Sequence, residues 1–188
     1  MLRLVIESFM KPREAMREIL DMRLDWQTLV QIALLLSCLY GVAEPLIAAL
    51  AGPESAQPFV SGPIAVAIVR FVMILAFGFG IAVIGRAFGG TGAFHGALTV
   101  SVWYTVVCVL PNVFLVSLQL TGSSIAPVAQ LGVVAWLMVI FATFIQTLHG
   151  FKSLFVTLIG VVGSAFVVIL VIVVVLVSTG LISPEALP

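Results

Sequence analysis

Long runs of hydrophobic residues, separated by short polar segments, make up most of this sequence. An α-helix needs about 20 apolar residues to cross the hydrocarbon core of a bilayer. The segments predicted to span a membrane are 28–51, 63–84, 94–118, 126–146 and 154–177. The segments between them are rich in Gly, Pro and Ser, which are typical of turns. The sequence therefore predicts an all-α, polytopic membrane domain of five transmembrane helices over 28–177, with a short tail at 178–188.

The N-terminal region, 1–27, follows a different pattern, because apolar residues recur there at helical spacing among charged ones. The pattern runs on both sides of Pro12, a residue that favours the first position of a helix. It predicts one or two short amphipathic helices on the cytoplasmic surface of the membrane. A plain surface anchor and a helix that docks a partner both remain open.

Composition excludes several classes of protein. Hydrophobic residues make up 62% of the chain and charged residues 9%, and the mean hydropathy is +1.31. A soluble domain does not have this composition. Eight basic residues balance eight acidic ones, which argues against a nucleic-acid partner.

The basic residues predict the orientation, because Lys and Arg are retained on the cytoplasmic side of a membrane. Five of them precede the first span, Arg86 lies in the second loop, and Lys152 lies in the fourth. All seven share one side if the N-terminus is cytoplasmic. The prediction is a protein of the cell (cytoplasmic) membrane with a cytoplasmic N-terminus and an external C-terminus.

The eighth basic residue, Arg70, lies inside the second span, and Glu44 lies inside the first. Each is seven residues from the external end of its span, which is a depth of about 10 Å at 1.5 Å per residue. An unpaired charge at that depth is unfavourable. Since adjacent antiparallel helices bring the two side chains to the same level, the sequence predicts an ion pair between Glu44 and Arg70.

Asn112, next to Pro111 in the third span, lies at a similar level. Glu44, Arg70 and Asn112 are therefore predicted to form a polar cluster within the membrane. One interpretation is structural, with the cluster joining three helices. The alternative is functional, because charges inside a membrane often line a pathway for protons, ions or solutes.

A second candidate site is predicted at the cytoplasmic end of the bundle. The second loop contributes Arg86, Gly89, Gly90 and His95, and the facing loop contributes His149 and Lys152. Glycine-rich backbone beside cations binds anions, and a lipid headgroup is the expected anion. The same glycines are also typical of a tight interhelical turn. No cysteine or carboxylate accompanies the histidines and no nucleophile is paired with a base, so neither a metal, a cofactor nor an enzymatic activity is expected.

Three motifs carry a family resemblance. They are an F-x-x-P motif at 9–12, a GG loop at 88–94, and the sequence LHGFKSL before the fifth predicted span. In these features the chain resembles the Yip family of Ypt-interacting, multi-spanning membrane proteins. The resemblance implies five transmembrane helices and a cytoplasmic N-terminus. For eukaryotic members it also implies binding of small Rab-type GTPases in vesicle traffic.

The sequence departs from those eukaryotic members, because it lacks their long cytosolic N-terminal region and a DLYGP-like signature. It is more similar to prokaryotic relatives, which puts the binding of a small GTPase in doubt. The function expected is a non-enzymatic membrane-organising or adaptor protein that contacts membrane lipids or another membrane protein. The alternative is a small carrier or channel that uses Glu44, Arg70 and Asn112. Faces of small residues leave self-association open.

Overall fold

The computed structural model describes residues 2–51, 62–164 and 166, and every regular element in these residues is an α-helix. The helices are α1 (Leu2–Met10), α2 (Pro12–Asp21), α3 (Trp26–Ala51), α4 (Pro63–Ala87), α5 (Phe94–Leu120), α6 (Ala126–His149) and α7 (Leu154–Ser164).

Four of the described helices, α3 to α6, are long and apolar enough to cross a membrane. Helices α4, α5 and α6 begin at the residues where the second, third and fourth predicted spans begin, and each ends two or three residues later than predicted. The fifth predicted span is helical over Leu154–Ser164, and its remainder lies outside the described residues, as does the tail. The described part of the chain is therefore all-helical with four long apolar helices, and a fifth span stays a prediction.

The ends of the long helices follow from local chemistry. Before α3, the Asp25 carboxylate accepts hydrogen bonds from the backbone N–H and the hydroxyl of Thr28, which caps the helix. The Thr28 hydroxyl lowers the pKa of the Asp25 carboxyl below its usual value. Helix α6 ends at His149 and is capped by Gly150, whose φ of 71° lies in the left-handed region that glycine adopts most readily.

Helix α5 is the central element of the bundle, because it contacts α3, α4 and α6 as well as the two short N-terminal helices. Its buried residues lie between Ala97 and Val107, in its N-terminal half. Those of α6 lie between Leu137 and His149, in its C-terminal half. Since α5 and α6 are consecutive antiparallel helices, these two halves lie side by side. The main hydrophobic core is therefore at the end of the bundle that carries the loop between α4 and α5.

Small residues permit close helix contacts. A Cβ atom at Gly41 of α3 would lie 2.6 Å from the carbonyl oxygen of Pro63 in α4. In α5, the buried Ser101 hydroxyl donates a hydrogen bond of 2.7 Å to the carbonyl of Ile74 in α4. Such contacts hold helices together where lipid supplies no hydrophobic driving force between them.

The two N-terminal helices form a hairpin that packs against α5 and α6. The buried side chains of α2 are Ala15, Met16 and Ile19, and in α1 the buried Ser8 hydroxyl accepts a hydrogen bond of 3.0 Å from the indole N–H of Trp103. One or two amphipathic helices were expected here, and the structure has two. Their buried faces contact the helix bundle, however, rather than being left free for a membrane surface. Sequence periodicity predicts that a helix has an apolar face, but it does not predict which surface covers that face.

Candidate functional site

The predicted ion pair is present in the structure. The Arg70 guanidinium of α4 donates a hydrogen bond through Nη2 to Glu44 Oε1 of α3. The pair forms because α3 and α4 are adjacent antiparallel helices and each residue lies seven positions from the connecting segment. Each charge thereby neutralises the other inside two helices of membrane-spanning length.

Tyr40 extends this pair into α5. Its ring lies under the guanidinium, with Arg70 Cζ 5.2 Å from the ring centroid, and its hydroxyl accepts a hydrogen bond of 3.3 Å from Asn112 Nδ2. The aromatic face attracts the cation. The structure therefore brings the three predicted residues together in a continuous chain of contacts, in which Tyr40 is the link between Asn112 and the ion pair.

Sequence reasoning missed Tyr40, although a signal for it exists. Tyr40 precedes Glu44 by four residues, which places both side chains on the same face of α3. A tyrosine on the face that carries an intramembrane carboxylate is a natural third member of a polar cluster. We call Tyr40, Glu44, Arg70 and Asn112 the polar cluster.

The polar cluster can hold three helices together. Its formal charges cancel, its hydrogen bonds run between its own members, and together its residues join α3, α4 and α5. Arg70 and Asn112 are nevertheless exposed at the surface of the bundle. The cluster is therefore internally paired but accessible from one side.

The second candidate site is organised around His149, at the end of α6. The imidazole is buried and packs against Gly85 of α4 and against Gly90 and Gly92 of the following loop. A Cβ atom at Gly92 would lie 2.7 Å from the ring, and at Gly85 or Gly90 it would overlap the ring more severely. Glycine is required at these positions because the histidine ring occupies the space of a side chain.

Both ring nitrogens of His149 are used within the chain. Nδ1 accepts a hydrogen bond of 3.1 Å from the Gly92 N–H, and Nε2 lies 3.2 Å from the carbonyl oxygen of Ile81, so the partners assign the proton to Nε2. The Thr91 N–H also donates to the carbonyl of His149, at 3.4 Å. The glycine loop and the histidine turn, two of the three motifs of the family resemblance, are thus parts of one contact.

The other residues predicted to contact an anion lie around this end of the bundle. Arg86, His95 and Lys152 are exposed, and the Arg86 Nε–H donates to the Gly92 carbonyl at 3.3 Å. Gly89 has a φ of 80°, as a tight turn requires. Anion binding by these cations stays a prediction, while Gly90 and His149 have a packing role that the sequence did not reveal. Within the described residues, no group of three His, Cys, Asp or Glu side chains is placed to hold a metal ion.

Comparison with known proteins identifies a protein family. A family model described as the Yip1 domain matches residues 6–176, which is nearly the whole chain. No curated protein and no solved structure matches the sequence. The matched region contains the glycine loop, the histidine turn and the four long helices. The chain therefore belongs to the Yip1-domain family, and its long apolar helices indicate a membrane protein.

Proposed function

We propose that this chain is a non-enzymatic membrane-organising or adaptor protein that acts through contacts with lipids or with another membrane protein. In this proposal it has five spans, lies in the cell membrane, and keeps its N-terminus in the cytoplasm. The observation that carries the proposal is the outward face of the N-terminal hairpin. Helix α2 buries one apolar face and exposes a row of charged side chains, Arg13, Glu14, Arg17, Glu18 and Asp21.

The charged face is held in a fixed position, as a contact surface requires. The Arg3 guanidinium of α1 lies 2.9 Å from Glu18 Oε1 of α2, and Lys11 Nζ lies 3.3 Å from Glu14 Oε2. Exposed ion pairs of this kind contribute at most about 1 kcal/mol each. The buried residues Met16 and Ile19 supply the larger part of the docking energy, at about 2 kcal/mol per buried apolar side chain. The surface is therefore preorganised by the core beneath it.

The pairing within the polar cluster supports this function over transport. A carrier site needs a charge that exchanges its partner for a substrate or for water, whereas Glu44 and Arg70 are each other's partners here. The exposure of Arg70 and Asn112 is the observation that favours the alternative, a small carrier or channel. Ion flux in proteoliposomes separates the two, because Glu44→Gln abolishes flux only if the cluster is a pathway.

Crosslinking in native membranes tests the contact function. The intact protein is compared with a variant in which Arg13, Glu14, Arg17 and Glu18 are all replaced by Gln, and co-purifying proteins and lipids are identified by mass spectrometry. The variant keeps Ala15, Met16 and Ile19, so the hairpin still docks. A matched control replaces the same residues with Lys and Asp, which preserves every charge.

The proposal expects a defined protein or lipid to co-purify with the intact protein and the control but not with the Gln variant. Equal recovery from all three proteins would show that the charged face makes no contact. Recovery of the protein alone would favour the carrier.

A further inference from the structure

His149 is the buried one of the two histidines in this sequence. Its exposed fraction is 3%, whereas His95 lies exposed in the first turn of α5. Histidine is the side chain that ordinarily changes its charge between about pH 5 and about pH 8. The proposed function makes no use of His149. A buried histidine that joins two parts of the fold is therefore a candidate for a contact that depends on pH.

The contact between His149 and the glycine loop requires the neutral form of the ring. Nδ1 accepts a hydrogen bond of 3.1 Å from the Gly92 N–H, and Nε2 donates to the carbonyl oxygen of Ile81 at 3.2 Å. Protonation adds a hydrogen to Nδ1, and both ring nitrogens are then donors. Because the Nδ1–H would face the Gly92 N–H, the hydrogen bond between them is lost in the imidazolium.

The charged groups around His149 do not compensate a positive charge on the ring. Arg86, in the last turn of α4, repels an imidazolium. His95 at the start of α5 and Lys152 after α6 are also basic. Helix α6 has no other titratable residue, and α2, which packs against it, carries both signs of charge and ends at Asp21. Within the described part of the chain, no carboxylate forms an ion pair with His149.

Protonation acts on the loop rather than on the ring. The imidazolium of His149 keeps its Nε2 hydrogen bond, and the C-terminal end of α6 favours a cation. The turn at Gly89 and Gly90 is closed by hydrogen bonds of 2.9 Å to carbonyls of α4, which do not involve the histidine. Thr91 and Gly92 differ, because the Thr91 N–H bonds to the His149 carbonyl at 3.4 Å and the shorter bond of Gly92 is to the ring. The bond that protonation breaks is therefore the main attachment of these two residues to α6.

From this geometry we propose that protonation of His149 releases Thr91 and Gly92 from α6, so that the loop between α4 and α5 is closed at neutral pH and open in acid. The stabilisation from the Gly92 hydrogen bond is present while the ring is neutral and is lost as the pH falls. A buried donor left without its partner shifts such an equilibrium at least about fivefold. The inference does not depend on the contact function of α2.

Hydrogen–deuterium exchange of the protein in lipid nanodiscs, read by mass spectrometry, tests this inference. Exchange of the peptide that contains Thr91 and Gly92 is measured at about pH 8 and about pH 5, with correction for the intrinsic pH dependence of amide exchange. The internal control is the loop between α5 and α6, where the Gly122 N–H donates to the carbonyl of Gln119 at 3.0 Å. This loop lies at the opposite end of α5 and α6 from both histidines.

Two variants separate the charge of the ring from the contact. In His149→Asn, the side-chain carbonyl oxygen can take the place of Nδ1 and accept the Gly92 N–H, but it does not titrate. His95→Asn is the matched control, because it makes the same change at the exposed histidine.

The intact protein and His95→Asn are expected to lose protection of the Thr91 and Gly92 amides at least about fivefold in acid. The same amides in His149→Asn, and the control loop in all three proteins, are expected to show no change. Equal protection at both pH values in the intact protein would overturn the inference. So would the same acid-induced loss in His149→Asn.

Nuclear magnetic resonance of the protein with isotope-labelled histidine gives a second measurement, which needs no variant at position 149. The two histidines give two sets of ring signals, and His95→Asn assigns them. His149 is expected in its neutral Nε2–H form at neutral pH and to become protonated over the pH range in which the loop loses protection. A ring that is protonated while the loop stays closed, or that stays neutral while the loop opens, would contradict the inference.

Discussion

Glu44 of α3 and Arg70 of α4 form an ion pair inside two helices of membrane-spanning length. Neither charge has a favourable environment alone, since an unpaired charge at the centre of a transmembrane helix costs about 3 kcal/mol. Glu44→Arg and Arg70→Glu should therefore each reduce the yield of monodisperse protein severalfold. The double exchange restores opposite charges at the same two positions and should recover at least half of the lost yield. Size-exclusion chromatography of the fluorescently tagged proteins measures these yields, and a double variant no better than the singles would contradict a direct pair.

The packing of His149 against the glycine loop predicts a position-specific effect of adding a methyl group. Gly85→Ala should lower stability by about 1–3 kcal/mol, because the new Cβ atom overlaps the imidazole. Gly80→Ala is the matched control in the same helix, because nothing lies within 4 Å of its Cβ position. The control should be neutral or stabilising by up to about 1 kcal/mol, since alanine favours a helix more than glycine does. Thermal unfolding in detergent compares the two, and equal effects would show that the ring does not occupy this space.

The same contact predicts that the effects of substitutions at Gly85 and His149 on the free energy of unfolding are not additive. His149→Ala removes the ring, so Gly85→Ala should cause little further loss in that background. Independent, additive effects of the two substitutions in the same unfolding measurement would mean that Gly85 and His149 do not touch.

The hydrogen bond between Trp103 and Ser8 predicts how the hairpin is coupled to α5. Ser8→Ala leaves the buried indole N–H without its partner, which should cost about 1–3 kcal/mol. Trp103→Phe removes the donor, so Ser8→Ala should have a much smaller effect in a Trp103→Phe protein. Unfolding of the four proteins of this cycle gives the coupling free energy, and a value near zero would mean that the hairpin does not dock at Trp103.

The proposed orientation is tested with single cysteines in a chain without Cys38 and Cys108. The cysteine of Ser124→Cys, at an exposed position between α5 and α6, should react with a membrane-impermeant maleimide added to intact cells. The cysteine of Lys152→Cys, at an exposed position between α6 and α7, should react only after the membrane is permeabilised. The reverse order of labelling would invert the orientation inferred from the basic residues.

Much of the fold follows from the sequence, because helix length, hydropathy and the Gly and Pro breakers are local properties. The Glu44–Arg70 pair was also predictable, since counting residues from the two ends of one connection places both side chains at the same level. Asn112 was placed at that level by the same reasoning. The hydrogen bond between Asn112 and Tyr40 was not predicted, because the sequence does not show which face of α3 meets α5.

The contacts that the sequence did not reveal join distant residues. His149 and Gly92 are 57 positions apart. In the sequence, a glycine-rich loop beside cations has the same pattern whether it binds an anion or packs around a histidine ring. Ser8 and Trp103 are 95 positions apart. An amphipathic period shows that a helix has an apolar face, but only the fold shows that the bundle rather than the membrane surface covers it.

The proposed contact function rests on the charged face of α2. A photo-crosslinking amino acid at Glu14, which is exposed on this face, tests it directly in living cells, with Gln130 on the exposed side of α6 as the control position. A discrete protein or lipid adduct is expected from position 14 and not from position 130. The absence of an adduct at position 14, or the same adducts at both positions, would contradict the claim.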